Sequence, residues 1–185
     1  MTKDKALPKI NGRKEVARSR IFAIESVDLT FSNGETRVYE RMMGKSKGAV
    51  MVIPMLDDET MLLVREYCGG THSYELGFPK GLVDEGEQAV EAANRELKEE
   101  IHYGARSIEK LHSLSMAPAF FDAHMDIFVA NNLYPESLPG DEPEPLEIVP
   151  WKVSDYHSLL AQPDFKEARS IAALMLFVDS QKEST

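Results

Sequence analysis

The chain is poor in several things, and each shortage closes off a class of function. It has one cysteine, Cys68, in 185 residues. No internal disulfide can form, which suits a reducing cytosol. Cys68 itself reads as an inert, small apolar residue ahead of Gly69-Gly70. No apolar run approaches 18 residues, so no membrane-spanning helix is expected. The opening MTKDKALPKINGRKEVARS lacks the apolar stretch of a secretory signal, and a cytoplasmic protein is expected. Positive charge is also scarce, with 21 Lys and Arg against 31 Asp and Glu and a net charge of −10. That balance argues against a broad electrostatic grip on nucleic acid. None of the five histidines is spaced with another as a metal ligand, and no Ser-His or Cys-His pairing suggests covalent catalysis. There are no internal repeats and no low-complexity segment.

What the chain has is acid, concentrated at one place. Glu96, Glu99 and Glu100 fall on one turn of a helix expected from about Gln88 to His102. At about 100° per residue they lie within an arc of about 100°. Like charges three or four residues apart each cost roughly 0.2–0.5 kcal/mol, and anions near a helix C-terminus oppose its dipole. A chain selected only for folding has little reason to accept both penalties, whereas a hard cation such as Mg²⁺ would supply one. Val90, Leu97 and Ile101 share a face suited to a core. Ala89, Ala92 and Ala93 are expected on the acidic face, leaving room for an ion and a ligand. Arg95 stands four residues from both Glu91 and Glu99 and is expected to orient Glu99 and Glu87.

The stretch GLVDEGEQAVEAANRELKEEIHY, from Gly81 to Tyr103, resembles the Nudix box, G-x5-E-x7-R-E-U-x-E-E-x-G-U with U apolar. Gly81, Glu87, Arg95, Glu96, Leu97, Glu99 and Glu100 all match at fixed gaps. One position departs: His102 replaces the second glycine, and Gly104 is expected to end the helix instead. Beyond the box, the order of GAVMVIPML, LLVREY, YELGFPKG, SMAPAFF and GDEPEPLE resembles the ADP-ribose pyrophosphatase branch of the Nudix hydrolases. The resemblance implies an α/β class fold, an α/β/α sandwich with a mixed sheet. It implies Mg²⁺ or Mn²⁺, two or more ions per site with substrate bound, and hydrolysis of ADP-linked compounds. ADP-ribose, diadenosine triphosphate and NADH are the implied substrates and AMP a product.

Roles follow residue by residue. Glu96 and Glu100, with Glu99, are the expected metal ligands, and the resemblance implies that the backbone carbonyl of Lys80 joins them. Gly81 lets the chain approach the metal closely, and Glu87 supports the loop or binds a further ion. In this branch the resemblance implies a catalytic base on a loop outside the box, which here offers Glu142, Glu144 and Glu147. Glu144 is favoured and Glu142 stands next. In other branches the base lies in the box, as Glu96 or Glu99. Substrate contacts are expected from Arg37, Arg41, Arg65 and Glu66, with Tyr39 or Phe120 stacking on adenine. Lys3, Lys45 and Lys47 belong to the basic residues gathered before position 50, of which a few are expected to face phosphates.

A coarse pass places the elements. Residues 1–15 read as a loose tail, and 20–31 and 36–43 as strands around Asn33-Gly34, a two-residue hairpin signal. Ala49 to Leu56 and Thr60 to Glu66 read as buried strands around a turn at 57–59. Further strands are expected at 73–78, 108–116, 125–131 and 148–153, and helices at 155–161 and 165–180. Residues 1–47 form an N-terminal antiparallel subdomain in this reading and 48–185 the Nudix domain. An isolated hairpin is marginal in water, and the resemblance implies that this sheet packs across a homodimer. Two alternatives stand beside ADP-compound hydrolysis. One is a Nudix enzyme of another diphosphate, a sugar nucleotide or an RNA 5′ end. The other is a non-catalytic ADP-ribose-binding regulator, against which the intact set of box residues argues.

Overall fold

The computed structural model describes residues 5–44 and 48–183, and Lys3, Lys45 and Lys47 lie outside the described residues. The chain divides into two compact units, Met1–Lys45 with Ser115–Ala123, and Ser46–Leu114 with His124–Thr185.

The first unit is an antiparallel meander of β1 (Lys9–Arg18), β2 (Ala23–Thr30) and β3 (Thr36–Met43). The tip of a later hairpin adds a short parallel pairing of Met42 and Met43 with Phe121 and Asp122. The loose tail expected over residues 1–15 is overturned from Lys9 onward. β1 is exposed along nearly its whole length, so no apolar period announces it. Backbone pairing with β2 from Lys9↔Thr30 to Arg18↔Ala23 holds it, with irregularities at Ile10/Gly12 and Glu15/Ala17. The β2–β3 turn differs as well. Phe31 and Glu35 close it, with Phe31 N donating to Glu35 O at 2.9 Å, and Gly34 alone takes a left-handed φ of 86°. A two-residue turn of the Asn-Gly type needs positive φ at both residues, so the loop here is Ser32-Asn33-Gly34.

The second unit holds the core. β4 (Ala49–Pro54) lies between β9 (Phe121–Pro135), parallel, and β7 (Lys80–Leu82), antiparallel, and β8 (Tyr103–Ala117) pairs with β9. A separate antiparallel sheet orders β10 (Glu147–Lys152), β5 (Thr60–Cys68) and β6 (Ser73–Gly77). β4 and β5 are therefore not a ladder across their turn; one bridge, Met55 to Met61, joins them before they part into different sheets. Their near-continuous apolar runs suit strands covered on both faces. Val50, Val52, Leu62 and Val64 meet Ala92, Ala93 and Leu97 of α1 (Ala89–Glu100), and Ile101 just past its end, in one cluster. Met51 and Ile53, the alternate residues of β4, are equally buried, and α3 (Ala168–Glu183) also packs on β4. α2 (Tyr156–Leu160) follows β10 after a single 3-10 turn. This is the mixed α/β arrangement with helices flanking mixed sheet that the sequence led us to expect.

The buried stripe of α1 corrects the expected faces. Ala89, Ala92, Ala93, Glu96, Leu97 and Glu100 follow the helical period, and all but Ala89 are buried. Val90, assigned to the core face, is 43% exposed. The alanines fill the core rather than clearing space for an ion: their small side chains let α1 close on β4 and β7. Glu96 and Glu100 thus extend an apolar stripe inward, while Glu99 sits beside it.

Candidate active site

A cleft of about 600 Å³ runs along the buried end of α1. Its walls come from Lys80 to Leu82, from Glu96, Glu99 and Glu100, from Glu66 of β5, from Pro139 to Glu142, and from Arg169 of α3. Gly81 is required by proximity: a Cβ there would sit 1.9 Å from Glu96 Oε1. The motif glycine therefore lets the strand rest directly on a carboxylate.

Arg95 organises the acidic set. Its Nε and Nη2 each donate to Glu87 at 3.0 Å, Nη1 donates to Glu96 at 2.6 Å and to Glu99 at 3.0 Å, and Nη2 also reaches the Leu82 carbonyl at 2.8 Å. Glu87 in turn accepts the Asp84 backbone N–H at 3.0 Å, which fixes the loop before α1. Glu91 does not join this network; it accepts the Gln88 N–H at 2.9 Å and closes a capping box. Of the two acids that spacing placed near Arg95, Glu99 is bonded to it and Glu91 is not, and Glu87 and Glu96 complete the set.

Electrostatics set Glu96 and Glu100 apart. Burial pushes the Glu96 carboxyl up to about 7, with the charges of Glu99 and Glu142 adding to the rise and Arg95 opposing it. Burial likewise raises Glu100 well above the usual carboxylate range, with help from Glu96 and Glu66 and against Lys80. Glu100 Oε1 receives a long 3.4 Å bond from the Lys80 backbone N–H, while its Oε2 is buried with no hydrogen-bond partner. An orphaned buried carboxylate oxygen is costly. Among the described residues no three acidic, His or Cys side chains converge as chelators, because Glu96 and Glu99 turn to Arg95. The donor set nonetheless fits a hard divalent cation: all the donors are carboxylate oxygens, three acids share one arginine, and one buried Glu100 oxygen is unsatisfied.

The helix end departs from what Gly104 was expected to do. His102 itself takes the left-handed conformation, at φ 63°, the backbone state that a glycine past a helix end adopts most readily. Its strain is offset locally. His102 Nδ1 lies 3.0 Å from Ser137 Oγ, the His102 carbonyl accepts the Glu136 N–H at 3.2 Å, and the Lys98 carbonyl accepts the Leu138 N–H at 3.1 Å. Gly104 serves a different need, since a Cβ there would lie 2.5 Å from the Tyr134 ring.

The loop glutamates separate. Glu142 lines the cleft with the box carboxylates. Glu144 meets Glu99, Glu100 and Glu142 in an adjoining pocket of about 370 Å³ and accepts a bond from the Tyr74 hydroxyl, while Glu147 pairs with Arg65. Both line a neighbouring pocket of about 380 Å³ with Tyr67 and Tyr74, which shares Glu66 and Glu142 with the cleft. Lys80 Nζ pairs with Glu66 at 2.6 Å, and Arg65 also holds Asp164 at 2.9 Å. Arg37, Tyr39, Arg41 and Phe120 belong to the first unit. There Arg41 pairs with Glu25 and Asp122, Arg37 pairs with Glu35, and Tyr39 and Phe120 are half exposed. The Cys68 thiol is pushed up by burial and by Glu66, so it stays protonated. Arg169 was missed. It lies far along the chain from the box, and its place in the cleft follows from the docking of α3.

A buried pair of helix glutamates, resting on a close-approach glycine and tied by one arginine to a turn glutamate, is the architecture of the Nudix box. The family model of the NUDIX domain matches residues 45–175, and the chain belongs to the Nudix hydrolase family. It is of the NudE type: the NudE-type Nudix hydrolase N-terminal domain matches residues 8–41. The chain is 56% identical to the ADP compounds hydrolase NudE of Escherichia coli strain K12, over 95% of this chain and 94% of that one. It is 26% identical to the ADP-ribose pyrophosphatase of Bacillus subtilis strain 168, over 87% and 90%. Among solved structures, a crystal structure of an ADP compounds hydrolase superposes with a TM-score of 0.90 at 53% identity, covering 99% of this chain and 98% of that one. The family typically depends on a divalent metal. No helix among the described residues is long and apolar enough to cross a membrane.

Proposed function

We propose that this chain hydrolyses the pyrophosphate of ADP-linked compounds, releasing AMP and a second phosphorylated moiety, with Mg²⁺ or Mn²⁺ as cofactor. ADP-ribose, NADH and diadenosine triphosphate are the substrates in this reading. The observation that carries it is the buried Glu96 and Glu100 pair at the cleft floor, with one Glu100 oxygen unpartnered. Glu96, Glu100 and Glu99, with the Lys80 carbonyl, would hold the ions, and Glu87 would act through Arg95. When bound, the ions neutralise the pyrophosphate and lower the pKa of an attacking water.

The chain's own groups do the rest. Arg95 holds Glu96 and Glu99 in fixed positions alongside Glu87. Gly81 leaves the space above Glu96 open to ligand. Of the loop glutamates, Glu142 is the favoured base in this reading, because it lines both the cleft and the adjoining pocket, whereas Glu144 lines only the latter and is bonded to Tyr74. Glu144 remains the second candidate base, and Glu99 the third. Arg65 and Glu66 would meet ribose or phosphate. The exposed Ile10, Val16, Val38 and Tyr39 of the N-terminal meander support a homodimer through residues 1–47. In that dimer Arg37, Arg41, Tyr39 and Phe120 would contact nucleotide bound by a second copy. A cytoplasmic location accords with these substrates.

The test is hydrolysis of ADP-ribose, NADH, diadenosine triphosphate, GDP-mannose and capped RNA with Mg²⁺ in ¹⁸O-water, alongside Glu100→Gln. AMP carrying ¹⁸O, lost in the variant, is expected. Preferred turnover of GDP-mannose or capped RNA would overturn the substrate assignment. Tight ADP-ribose binding without any turnover would replace the enzyme with a binding protein. Sedimentation showing only monomer at micromolar concentration would remove the dimer.

A further inference from the structure

The cleft is strongly acidic, yet the ligand proposed for it is a polyanion. The cations that line it are Arg95, Lys80 and Arg169. Arg95 is spent on Glu87, Glu96 and Glu99, and Lys80 on Glu66. Arg169 is different. Its Nε donates to Glu167 Oε1 at 2.6 Å, and among the described residues neither terminal nitrogen has a protein partner. A guanidinium held at Nε presents its remaining N–H groups as a fork, a shape that suits two oxygens of one phosphate.

The support beneath Arg169 is rigid. Glu167 also accepts the backbone N–H groups of Arg169 at 3.1 Å and Ser170 at 2.9 Å, and the Ser170 hydroxyl at 3.1 Å. One carboxylate therefore caps the first turn of α3 and aims the arginine. Ser170 is buried against Gly77, where a Cβ would come within 2.9 Å of its Oγ. That contact locks the start of α3 to the end of β6. A long side chain anchored at both its backbone and its Nε loses little further freedom on binding.

We infer that Arg169 is a substrate-binding residue, a preset fork for a phosphate of the pyrophosphate-bearing substrate, and that Glu167 is its positioning residue. The inference rests on the proposed function for the identity of the full substrate, but not for the class of group bound, a phosphate of a diphosphate. Arg169 brings positive charge to the cleft from α3, independently of the metal-holding box. Its loss should weaken substrate binding while leaving metal binding unchanged.

The experiment uses the full chain with saturating Mg²⁺ and methylenediphosphonate, a diphosphate analogue that cannot be hydrolysed, titrated by calorimetry. Arg169→Gln should weaken its binding about ten- to hundredfold, the range for a hydrogen-bonded charge. Arg169→Lys should restore part of that loss, and Glu167→Gln should weaken binding less than Arg169→Gln. With a turned-over substrate, KM should rise in Arg169→Gln by more than kcat falls. Binding of Mg²⁺ alone and the melting temperature of Arg169→Gln should match wild type. Equal analogue affinity in wild type and Arg169→Gln overturns the inference, as does a loss that tracks the melting temperature or Mg²⁺ affinity. If wild type turns over no ADP compound, the functional reading fails by itself, and the analogue titration still decides Arg169.

Discussion

Two acidic segments meet at the cleft, and they are built in opposite ways. On α1, Glu96 and Glu100 are buried on the same stripe as Leu97 and the core alanines. On the loop before β10, Glu142 and Glu144 stand between prolines, without regular structure, and Glu144 is exposed. The helix glutamates pay in desolvation for a fixed position, visible in the upward shift of both. Of the loop glutamates, Glu142 is half-buried, and Glu144 is exposed and held by one bond from Tyr74. The difference separates two chemical tasks. A cation needs ligands whose geometry is fixed before it arrives. A proton acceptor needs to reach the water only once substrate is in place.

That contrast can be broken most sharply at Glu100. Glu100→Gln should lower turnover by about 10³-fold or more, since it removes several kcal/mol of cation-supplied stabilisation. The same variant should melt higher than wild type without metal, because a desolvated ionisable acid has been replaced by a group that carries no charge. A variant with normal turnover would place Glu100 outside the chemistry. Next in size is the loop. Glu142→Gln should cost about 10²–10⁴ in kcat, with Glu144→Gln within about tenfold of wild type in the same assay. The reverse ranking would return the base to Glu144. Arg95→Ala should weaken Mg²⁺ binding by about 10–100-fold, as loss of an outer partner does, measured by calorimetry.

The smallest effect is in pH. Glu96 titrates at about 7 in the folded chain against an ordinary 4.5. Between those values the metal-free folded state binds the extra proton, so stability falls as pH rises. The contribution is whole below pH 4.5 and gone above about 7. Thermal melts of metal-free protein should therefore rise from pH 7.5 to pH 5.5 by an amount that Glu96→Gln abolishes, and Mg²⁺ affinity should run the other way. A flat melt profile over that window would show that Glu96 is not buried as a neutral acid.

Legibility in the sequence followed the same division. The box was readable because its constraints are local: a helix fixes the spacing of Glu96, Glu99, Glu100 and Arg95. The buried face is less legible, because an alanine's small side chain suits an open space and a close helix–sheet contact alike, and here it serves the contact. β1 was invisible because its stability comes from backbone pairing, which leaves no mark on side-chain pattern. The parting of β4 and β5 into different sheets was not legible, because two apolar runs around a turn do not state which strands pair. His102 defied a residue preference that its contacts with the loop outweigh. Arg169 carried no signal at all, since its role depends on where Glu167 and Ser170 seat α3.

The clasp at the end of α1 limits how far the loop can range. Leu138 N–H is tied to the Lys98 carbonyl, Lys98 Nζ grips Glu136 at 2.8 Å, and β10 takes up the chain again at Glu147. From Leu138 to Glu142 is a leash of four residues, with a reach of at most about 14 Å when fully drawn out. Glu142 therefore patrols a short radius centred on the last turn of the helix that carries Glu96, Glu99 and Glu100. The box histidine is thus part of the mooring that sets the working distance between the acid on the tether and the acids on the helix.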